Sequence, residues 1–404
     1  MTIKCAVKSL LTIAVLSSYS GLASASNKEN THQAPVVAKA DIQIGYTETP
    51  FLEKAFIDTS PENRQDGISV GNLGNSGADK QQVIQFAKEL ADYKHGHYDS
   101  LLISHKGKLV FESYYAKGRV NLPHYQASVT KTYTGLALGR AIQLGYLSMD
   151  DLDKPITSFL TKLNLEGAIK KGADKVTLRH ALTMTSGIRT NDEQRAQINK
   201  LPNQLMGQKE IQTILNYSTP VTKDSQTFKY GYGPLLVMHV LEAVVPGSAK
   251  DFIKKELLDK MGISNYRWRT NGASGLPEAG WRTNMTSRDM VKWGMLAMNK
   301  GKWQGEQLIP EKFITDGTSR LVITGDDEVH WGGKDVSKQG YGYLWWGVDL
   351  KVGDKKYLGV SAQGGNGQII MIIDELDLLI VHTANDNSIA FKQVIAEKIL
   401  PAFI

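Results

Sequence analysis

Apolar residues along the chain are spaced as strands near both ends and as helices between them. Two apolar runs, 101–105 and 109–115, flank a Lys-Gly-Lys turn, which is typical of a β-hairpin. Strand-like runs return near the C-terminus, where they alternate with turns, at 343–348, 357–361, 369–373 and 378–382. A helix at 389–400 is predicted to close the chain.

Between these runs, apolar residues recur at three- and four-residue steps, the period of amphipathic helices. Helices are predicted at 80–93, at 129–144, at 177–187 as a short helix and turn, and at 286–297. A hairpin followed by a helix indicates an antiparallel sheet with a helix packed on it. The predicted fold is therefore α+β, an α/β sandwich whose antiparallel sheet is built from both chain ends and flanked by helices, with a mainly helical lobe inserted at about 145–330.

The first 25 residues have the features of a secretory signal peptide. Lys4 and Lys8 give a positively charged region, which precedes an apolar segment, 10–16, that is too short to span a bilayer. Ala23-Ser24-Ala25 fits a cleavage site. We expect export to the periplasm or the medium after cleavage near Ala25, in preference to a retained membrane anchor.

The composition excludes several kinds of chemistry. The one cysteine, Cys5, lies in the expected signal peptide, so the mature chain has no disulfide, catalytic thiolate or cysteine-held metal. Removal of Lys4 and Lys8 lowers the formal net charge from +6 to +4, which is too small to indicate nucleic-acid binding. The rest of the chain is divided into an N-terminal extension, 26–80, and one large domain, 81–404.

A nucleophile and a candidate base coincide at the start of the helix predicted at 129–144. If Ser128 lies in the first turn, Lys131 lies one turn further along the same face, and its side chain can fold back toward the serine oxygen. A lysine can accept a serine proton only if burial or nearby positive charge lowers its pKa. The spacing alone leaves open a helix-capping serine followed by a surface lysine.

Other candidates have weaker support. Ser69 lies in a Gly-Ile-Ser-Val-Gly stretch spelled like a nucleophile elbow, but no strand precedes it and a glycine-rich loop follows. His95 and His97 lack a further ligand at metal spacing, so no metal site is expected. His124 stays a candidate because it is close in sequence to the serine and lysine pair.

Four separated motifs carry a family resemblance. They are HYQASVTK at 124–131, LTMTSG at 182–187, FKYGYGP at 228–234 and QGGNGQ at 363–368. In this order they resemble motifs of the class C β-lactamase-like and penicillin-binding-protein-like serine hydrolases, which include carboxylesterases and 6-aminohexanoate-dimer hydrolases. The resemblance covers nearly all of residues 80–400 and implies that Ser128 and Lys131 are catalytic.

The resemblance also implies roles for Tyr230 and Tyr232. Tyr230 matches the tyrosine of the family's Tyr-x-Asn motif and is expected to pass a proton to the leaving group, provided that positive charge lowers its pKa. Tyr232 replaces the asparagine and offers a hydroxyl and an aromatic face to a substrate. This change argues against amide recognition of the β-lactam kind.

The family's third motif, Lys or His, then Thr or Ser, then Gly, becomes Gln363-Gly364-Gly365 in this chain. The glycines allow a strand backbone to approach a substrate, and by analogy the N–H of Asn366 is expected to join that of Ser128 in an oxyanion hole. The cation and the hydroxyl that would hold a substrate carboxylate are missing. The alternative is a glycine-rich turn between two strands.

These expectations combine into an exported serine hydrolase that cleaves an ester or amide bond of a small molecule through an acyl-enzyme on Ser128. We expect no cofactor, no nucleic-acid partner and no stable membrane span. The altered motifs favour an esterase or small-amide hydrolase over a β-lactamase or D,D-peptidase. Those two activities, and a non-catalytic penicillin-binding or ligand-binding module of the same fold, are the alternatives.

Overall fold

Fourteen strands are present in the computed structural model, which describes residues 33–38, 46–167, 169–324 and 329–404. They are β1 (Phe56–Asp58), β2 (Tyr98–His105), β3 (Lys108–Tyr114), β4 (His124–Tyr125), β5 (Arg267–Trp268), β6 (Thr283–Met285), β7 (Lys302–Trp303), β8 (Glu306–Gln307), β9 (Val322–Ile323), β10 (Val336–Tyr341), β11 (Trp346–Val352), β12 (Lys355–Gly364), β13 (Gln368–Ile373) and β14 (Leu378–Ala384). Nine of them form one antiparallel sheet in the order β1-β3-β2-β14-β13-β12-β11-β10-β9.

Strands from the two ends of the chain meet in the middle of this sheet, where β2 pairs with β14 and Leu101 lies opposite His382. Both faces of the central strands are covered. Along β13, Ile370 and Ile372 face one core, whereas Ile369 and Met371 face the other. Side chains of a strand alternate between faces, so a strand that is buried on both faces reads as one continuous apolar run.

Ten α-helices are present in the described residues. They are α1 (Lys80–Ala91), α2 (Val129–Gln143), α3 (Leu178–Leu182), α4 (Asp192–Asn199), α5 (Gln208–Tyr217), α6 (Gly233–Val244), α7 (Ala249–Ile253), α8 (Ser287–Met298), α9 (Glu311–Gly317) and α10 (Phe391–Val394). α2 and α8 pack on one face of the large sheet. α1 and the C-terminal helical segment, which comprises α10 and the helical turns at 395–403, pack on the other. The predicted fold class, an antiparallel sheet built from both chain ends and flanked by helices, is confirmed.

The helices α3 to α7 lie between α2 and β6 in the chain, within the region predicted as a helical lobe. The predicted limits of that lobe and of the domain at 81–404 stay predictions. The predicted signal peptide, 1–25, lies outside the described residues. No helix in the described part of the chain is both long and apolar enough to cross a membrane.

Candidate active site

A tight turn in front of α2 places Ser128 at the helix N-terminus. The preceding Ala127 has a φ of +46°, a left-handed value that is costly for a residue with a Cβ. The turn is held by the Gln126 N–H, which donates to the Thr283 carbonyl at 2.9 Å. The Ser128 side chain makes no capping hydrogen bond, so the structure does not support its interpretation as a helix cap.

The Ser128 Oγ instead contacts Lys131, which lies one turn further along α2. Lys131 Nζ is 2.8 Å from Ser128 Oγ and donates a second hydrogen bond to the Gly280 carbonyl, also at 2.8 Å. Burial lowers the pKa of Lys131 to about 8, because a low-dielectric environment disfavours the ammonium form. A substantial fraction of this lysine is therefore neutral near pH 8 and can accept a proton from serine.

Tyr230 lies beside this pair, and its hydroxyl interacts with the Ser128 side chain. Its ring stacks on Trp346 with centroids 5.5 Å apart, and Lys131 Nζ lies 4.7 Å from the ring centroid. The Tyr230 residue as a whole is 37% exposed. Burial raises the pKa of Tyr230 to about 12, and the contact with Ser128 only partly opposes it. The side chain is thus a proton donor near neutral pH, and the expected lowering of its pKa by positive charge is not found.

Successive residues of the third motif, Gln363 and Gly364, lie on opposite faces of β12. Gln363 is buried and donates to Ser361 Oγ at 2.7 Å, on the face opposite to Ala362, which packs in the same core as α2. The Gln363 side chain is therefore turned away from the nucleophile. A Cβ on Gly364 would lie 2.3 Å from the Gln126 carbonyl oxygen, so this glycine allows β12 to approach the turn that carries Ser128.

Three predicted site residues remain: Gly365, Asn366 and Tyr232. Gly365 lines the same cavity as Ser128. The Asn366 N–H, predicted as an oxyanion donor, donates to Asn387 Oδ1 at 2.6 Å in this structure. The Tyr232 hydroxyl is 2.7 Å from Thr190 Oγ1, and its ring lines the cavity.

The cavity in front of Ser128 has a volume of about 520 Å3, which is sufficient for a small-molecule substrate. Its wall combines backbone and side chains from α2, the start of α5, the start of α6, the segment before β6 and the turn after β12. The lining residues are Tyr125, Ala127, Ser128, Lys131, Glu210, Gly231, Tyr232, Pro234, Leu235, Asn271, Glu278, Ala279, Gly280, Trp281 and Gly365.

Comparison with known proteins identifies the family. The family model named Beta-lactamase matches residues 85–401. The chain belongs to the beta-lactamase family. The family expected from the four motifs is therefore confirmed, and it is a family of serine hydrolases.

Individual relatives of this beta-lactamase-family chain are distant. An uncharacterized protein of Alkalihalophilus pseudofirmus is 25% identical over 320 residues, which cover 71% of this chain and 83% of that protein. A Bacteroides dorei protein provisionally named a beta-lactamase superposes with a TM-score of 0.63 at 16% identity, over 81% of this chain and 99% of that one. A Bacillus anthracis protein provisionally named a 6-aminohexanoate-dimer hydrolase gives a TM-score of 0.57 at 18% identity, over 84% and 88% of the two chains. These structural likenesses show the fold alone.

The other sequence candidates lie elsewhere in this beta-lactamase-family protein. Ser69 is exposed and belongs to a segment that bonds to β3, and it does not line the cavity. His124 Nε2 is 3.0 Å from Asp99 Oδ2, so its imidazole is engaged away from the nucleophile. His95 is paired with Glu89 at 2.8 Å.

Sequence analysis missed four residues that shape the site. Gly280 supplies the carbonyl that holds Lys131, and Trp281, Glu210 and Glu278 line the cavity. None of the four lies in a motif that resembles the family. Their proximity to Ser128 results from long-range packing, and no local pattern in the sequence indicates it.

Proposed function

We propose that this protein is an exported serine hydrolase that cleaves an ester or a small amide through an acyl-enzyme on Ser128. The observation that carries the proposal is the 2.8 Å contact between Ser128 Oγ and Lys131 Nζ, a lysine whose pKa burial lowers to about 8. A serine hydroxyl needs a neighbouring base of this kind to act as a nucleophile near neutral pH.

The first half of the reaction forms the acyl-enzyme. Neutral Lys131 accepts the hydroxyl proton while Ser128 Oγ bonds to the substrate carbonyl carbon. The resulting oxyanion is stabilised by the Ser128 N–H. The Asn366 N–H, which donates to Asn387 Oδ1 in this structure, can join it only when that hydrogen bond breaks. Tyr230 gives its proton to the leaving group as the carbonyl–leaving-group bond breaks, and Lys131 returns a proton to the Tyr230 oxygen.

The second half releases the product. Water adds to the acyl carbon and gives a proton to the same lysine and tyrosine pair. The Ser128 Oγ–carbon bond then breaks, and the pair returns a proton to Ser128 Oγ. The acid leaves, and the Ser128 hydroxyl is restored. These steps use only side chains and backbone groups of this chain.

The third motif supports an ester or amide substrate without a recognised carboxylate. Gln363 stands where the family has a cation, and its amide points to the far face of β12. The fold neighbour provisionally named a 6-aminohexanoate-dimer hydrolase supports a small amide among the possible substrates. Turnover of a β-lactam in preference to short acyl esters and anilides would overturn this ranking.

Labelling with a fluorophosphonate tests the nucleophile. We expect the intact mass of the mature protein to show one adduct, which is lost in Ser128→Ala and kept in Ser148→Ala. Ser148 is a suitable control because it lies beyond the C-terminus of α2, where its hydroxyl bonds to Asp151. A folded wild-type protein that stays unlabelled, or a labelled Ser128→Ala, would contradict the proposal.

Export is supported by the charged, apolar and small-residue segments within residues 1–25. Expression of the full chain in a Gram-negative host should give a protein outside the cytoplasm whose mass corresponds to a start near Ser26. A chain that keeps residues 1–25 and stays in the cytoplasmic fraction would show that this segment is not a signal peptide.

A further inference from the structure

Three side chains with an amino or a carboxyl group line the cavity in front of Ser128: Lys131, Glu210 and Glu278. The proposed reaction uses only one of them. Lys131 is the base, whereas Glu210 and Glu278 have no assigned role. The fixed charge on the cavity wall, apart from the catalytic lysine, is therefore negative. A substrate carboxylate would be repelled there, and a substrate cation would be attracted.

Glu278 lies close to the reacting groups. It precedes Gly280, whose carbonyl holds Lys131 Nζ, by two residues, so the two Cα atoms are at most about 7 Å apart. Glu278 is 7% exposed, and its nearest cation is the Arg282 guanidinium, 3.5 Å away. The Arg282 side chain is 43% exposed, so solvent weakens this pair.

Glu210 approaches from the other side of the cavity. It lies in the first turn of α5 and is 8% exposed. His239 of α6 fixes its carboxylate through Nε2 at 2.9 Å from Oε2. Both residues line the same cavity. Burial raises the pKa of Glu278, the charge of Glu210 adds to this rise, and Arg282 and the Trp281 side chain oppose it.

Two carboxylates in a partly desolvated wall repel each other. Their partners, His239 for Glu210 and Arg282 for Glu278, leave acceptor positions open, because an ionised carboxylate has about four of them. A primary ammonium group carries one positive charge and three N–H donors, so it can donate to the carboxylates of this wall. The neighbouring Tyr232 and Trp281 rings line the same cavity and suit the apolar chain or ring that would carry the amine.

We propose that Glu210 and Glu278 form a subsite for a protonated amino group, so that the protein hydrolyses esters or amides of amine-bearing acids. The inference rests on the proposed function and names the substrate class of the same site. It predicts that selectivity follows the charge of the substrate chain, with cationic chains preferred over neutral ones and neutral chains over anionic ones.

The test is a comparison of 4-nitroanilides that differ only in charge. Each ω-aminoacyl anilide, with two to five methylenes in its chain, is paired with the neutral anilide that has a methyl in place of the amine and with the matching anionic anilide. We expect kcat/KM of the best amino substrate to exceed that of its neutral isostere by about tenfold or more, the effect of a partly screened charge pair. In Glu278→Gln and in Glu210→Gln this ratio should fall toward one.

Glu375→Gln is the matched control and should keep the wild-type ratio. Glu375 is exposed and lies in the turn after β13, at the opposite end of that strand from the cavity. Circular dichroism and fluorophosphonate labelling establish that each variant is folded and retains an activated serine. Loss of the ratio in the control as well would show a non-specific effect and would overturn the assignment to Glu210 and Glu278.

Failure of this inference and failure of the proposed function give different results. Ser128-dependent turnover of neutral anilides, with a charge ratio near one for every chain length, overturns the subsite and leaves the hydrolase intact. If no substrate is cleaved and no label is incorporated, the hydrolase itself fails. The subsite is then judged by calorimetry of n-hexylammonium and 1-hexanol binding to Ser128→Ala, where equal affinities would overturn it.

Discussion

Lys131 Nζ lies 2.8 Å from Ser128 Oγ because the two residues are separated by one turn of α2. The Gly280 carbonyl holds the amine from the other side at the same distance. Burial lowers the Lys131 pKa, so the basicity of the site depends on exclusion of water. The nucleophile is thus activated by the packing of the cavity wall.

The pH dependence of kcat/KM should report this lysine. We expect activity on 4-nitrophenyl butanoate to rise with pH and to level off above a pKa of about 8, because protonated Lys131 cannot accept the serine proton. Well below that pKa, the rate should fall about tenfold per pH unit. Lys131→Arg, which stays protonated, should lose nearly all activity at every pH. A flat profile between pH 6 and 9, or an active Lys131→Arg, would assign the base to another group.

Tyr230→Phe should affect substrates according to their leaving group. A buried phenol with a pKa of about 12 is a proton donor, and a departing amine or alkoxide needs that proton whereas 4-nitrophenolate does not. We expect kcat on an anilide or alkyl ester to fall by about 100-fold or more, with a much smaller loss on the 4-nitrophenyl ester. Steady-state rates on the three substrates give the comparison.

A tyrosine remote from the cavity controls for this substitution. Tyr146 follows the C-terminus of α2, about 20 Å from Ser128 for a helix of this length, so Tyr146→Phe should leave all three rates unchanged. An equal loss on all three substrates in Tyr230→Phe would indicate that the phenol positions Ser128 and does not donate a proton.

Much of the fold could be predicted from the sequence because both faces of the central strands are buried. β13 and β14 contain continuous apolar runs, and β2 contains a shorter one at 101–103. α2 is predicted as an amphipathic helix but is buried on almost every side, so its helical period is weak. The edge strand β9 and its neighbour β10 are not predicted from the sequence. β10 reads VSKQGY, with too little apolar pattern to indicate a strand, and it is defined by its pairing with β11.

The nucleophile and its base could be predicted because one helical turn fixes their proximity. Gln363 shows the limit of the motif alone, since its side chain points away from the site. In a strand buried on both faces, polarity does not reveal which residues face the nucleophile, and a shift of one residue changes the face. Glu210 and Glu278 are brought together by packing of α5 against α6 and by the segment before β6.

Gly364→Ala should disrupt the site by displacing the strand or the turn that positions Ser128. The new Cβ would lie 2.3 Å from the Gln126 carbonyl oxygen, closer than any normal carbon–oxygen contact, so β12 or the turn before Ser128 must move. We expect the free energy of unfolding to fall by about 1–3 kcal/mol, as for an overpacked core position, and serine labelling to slow. Gly272→Ala is the control, because its Cβ would meet no atom within 4 Å. Equal stability of the two variants in urea would show that the close approach is not tight.

Lys392 is a buried lysine outside the active site, so the effect of burying its charge on the stability of the fold can be measured without changing the catalytic residues. It is fully buried, and Nζ donates to the His330 carbonyl at 2.5 Å and to Gln339 Oε1 at 3.2 Å. Burial lowers its pKa from 10.5 to about 7. Between these two values the unfolded chain binds a proton that the native protein has released. The contribution of Lys392 therefore destabilises the fold fully below pH 7 and diminishes as the pH rises toward 10.5.

Lys392→Met removes this titration, although it leaves two oxygens without their donor, at a cost of about 1–3 kcal/mol. We expect wild type to gain stability relative to the variant as the pH rises from 7 to 10, by a few kcal/mol in total and at most about 1.4 kcal/mol per pH unit. Urea unfolding at each pH measures the difference, with Lys162→Met, an exposed lysine, as the control. Parallel stability curves for wild type and Lys392→Met would mean that Lys392 carries the same charge in the folded and unfolded protein.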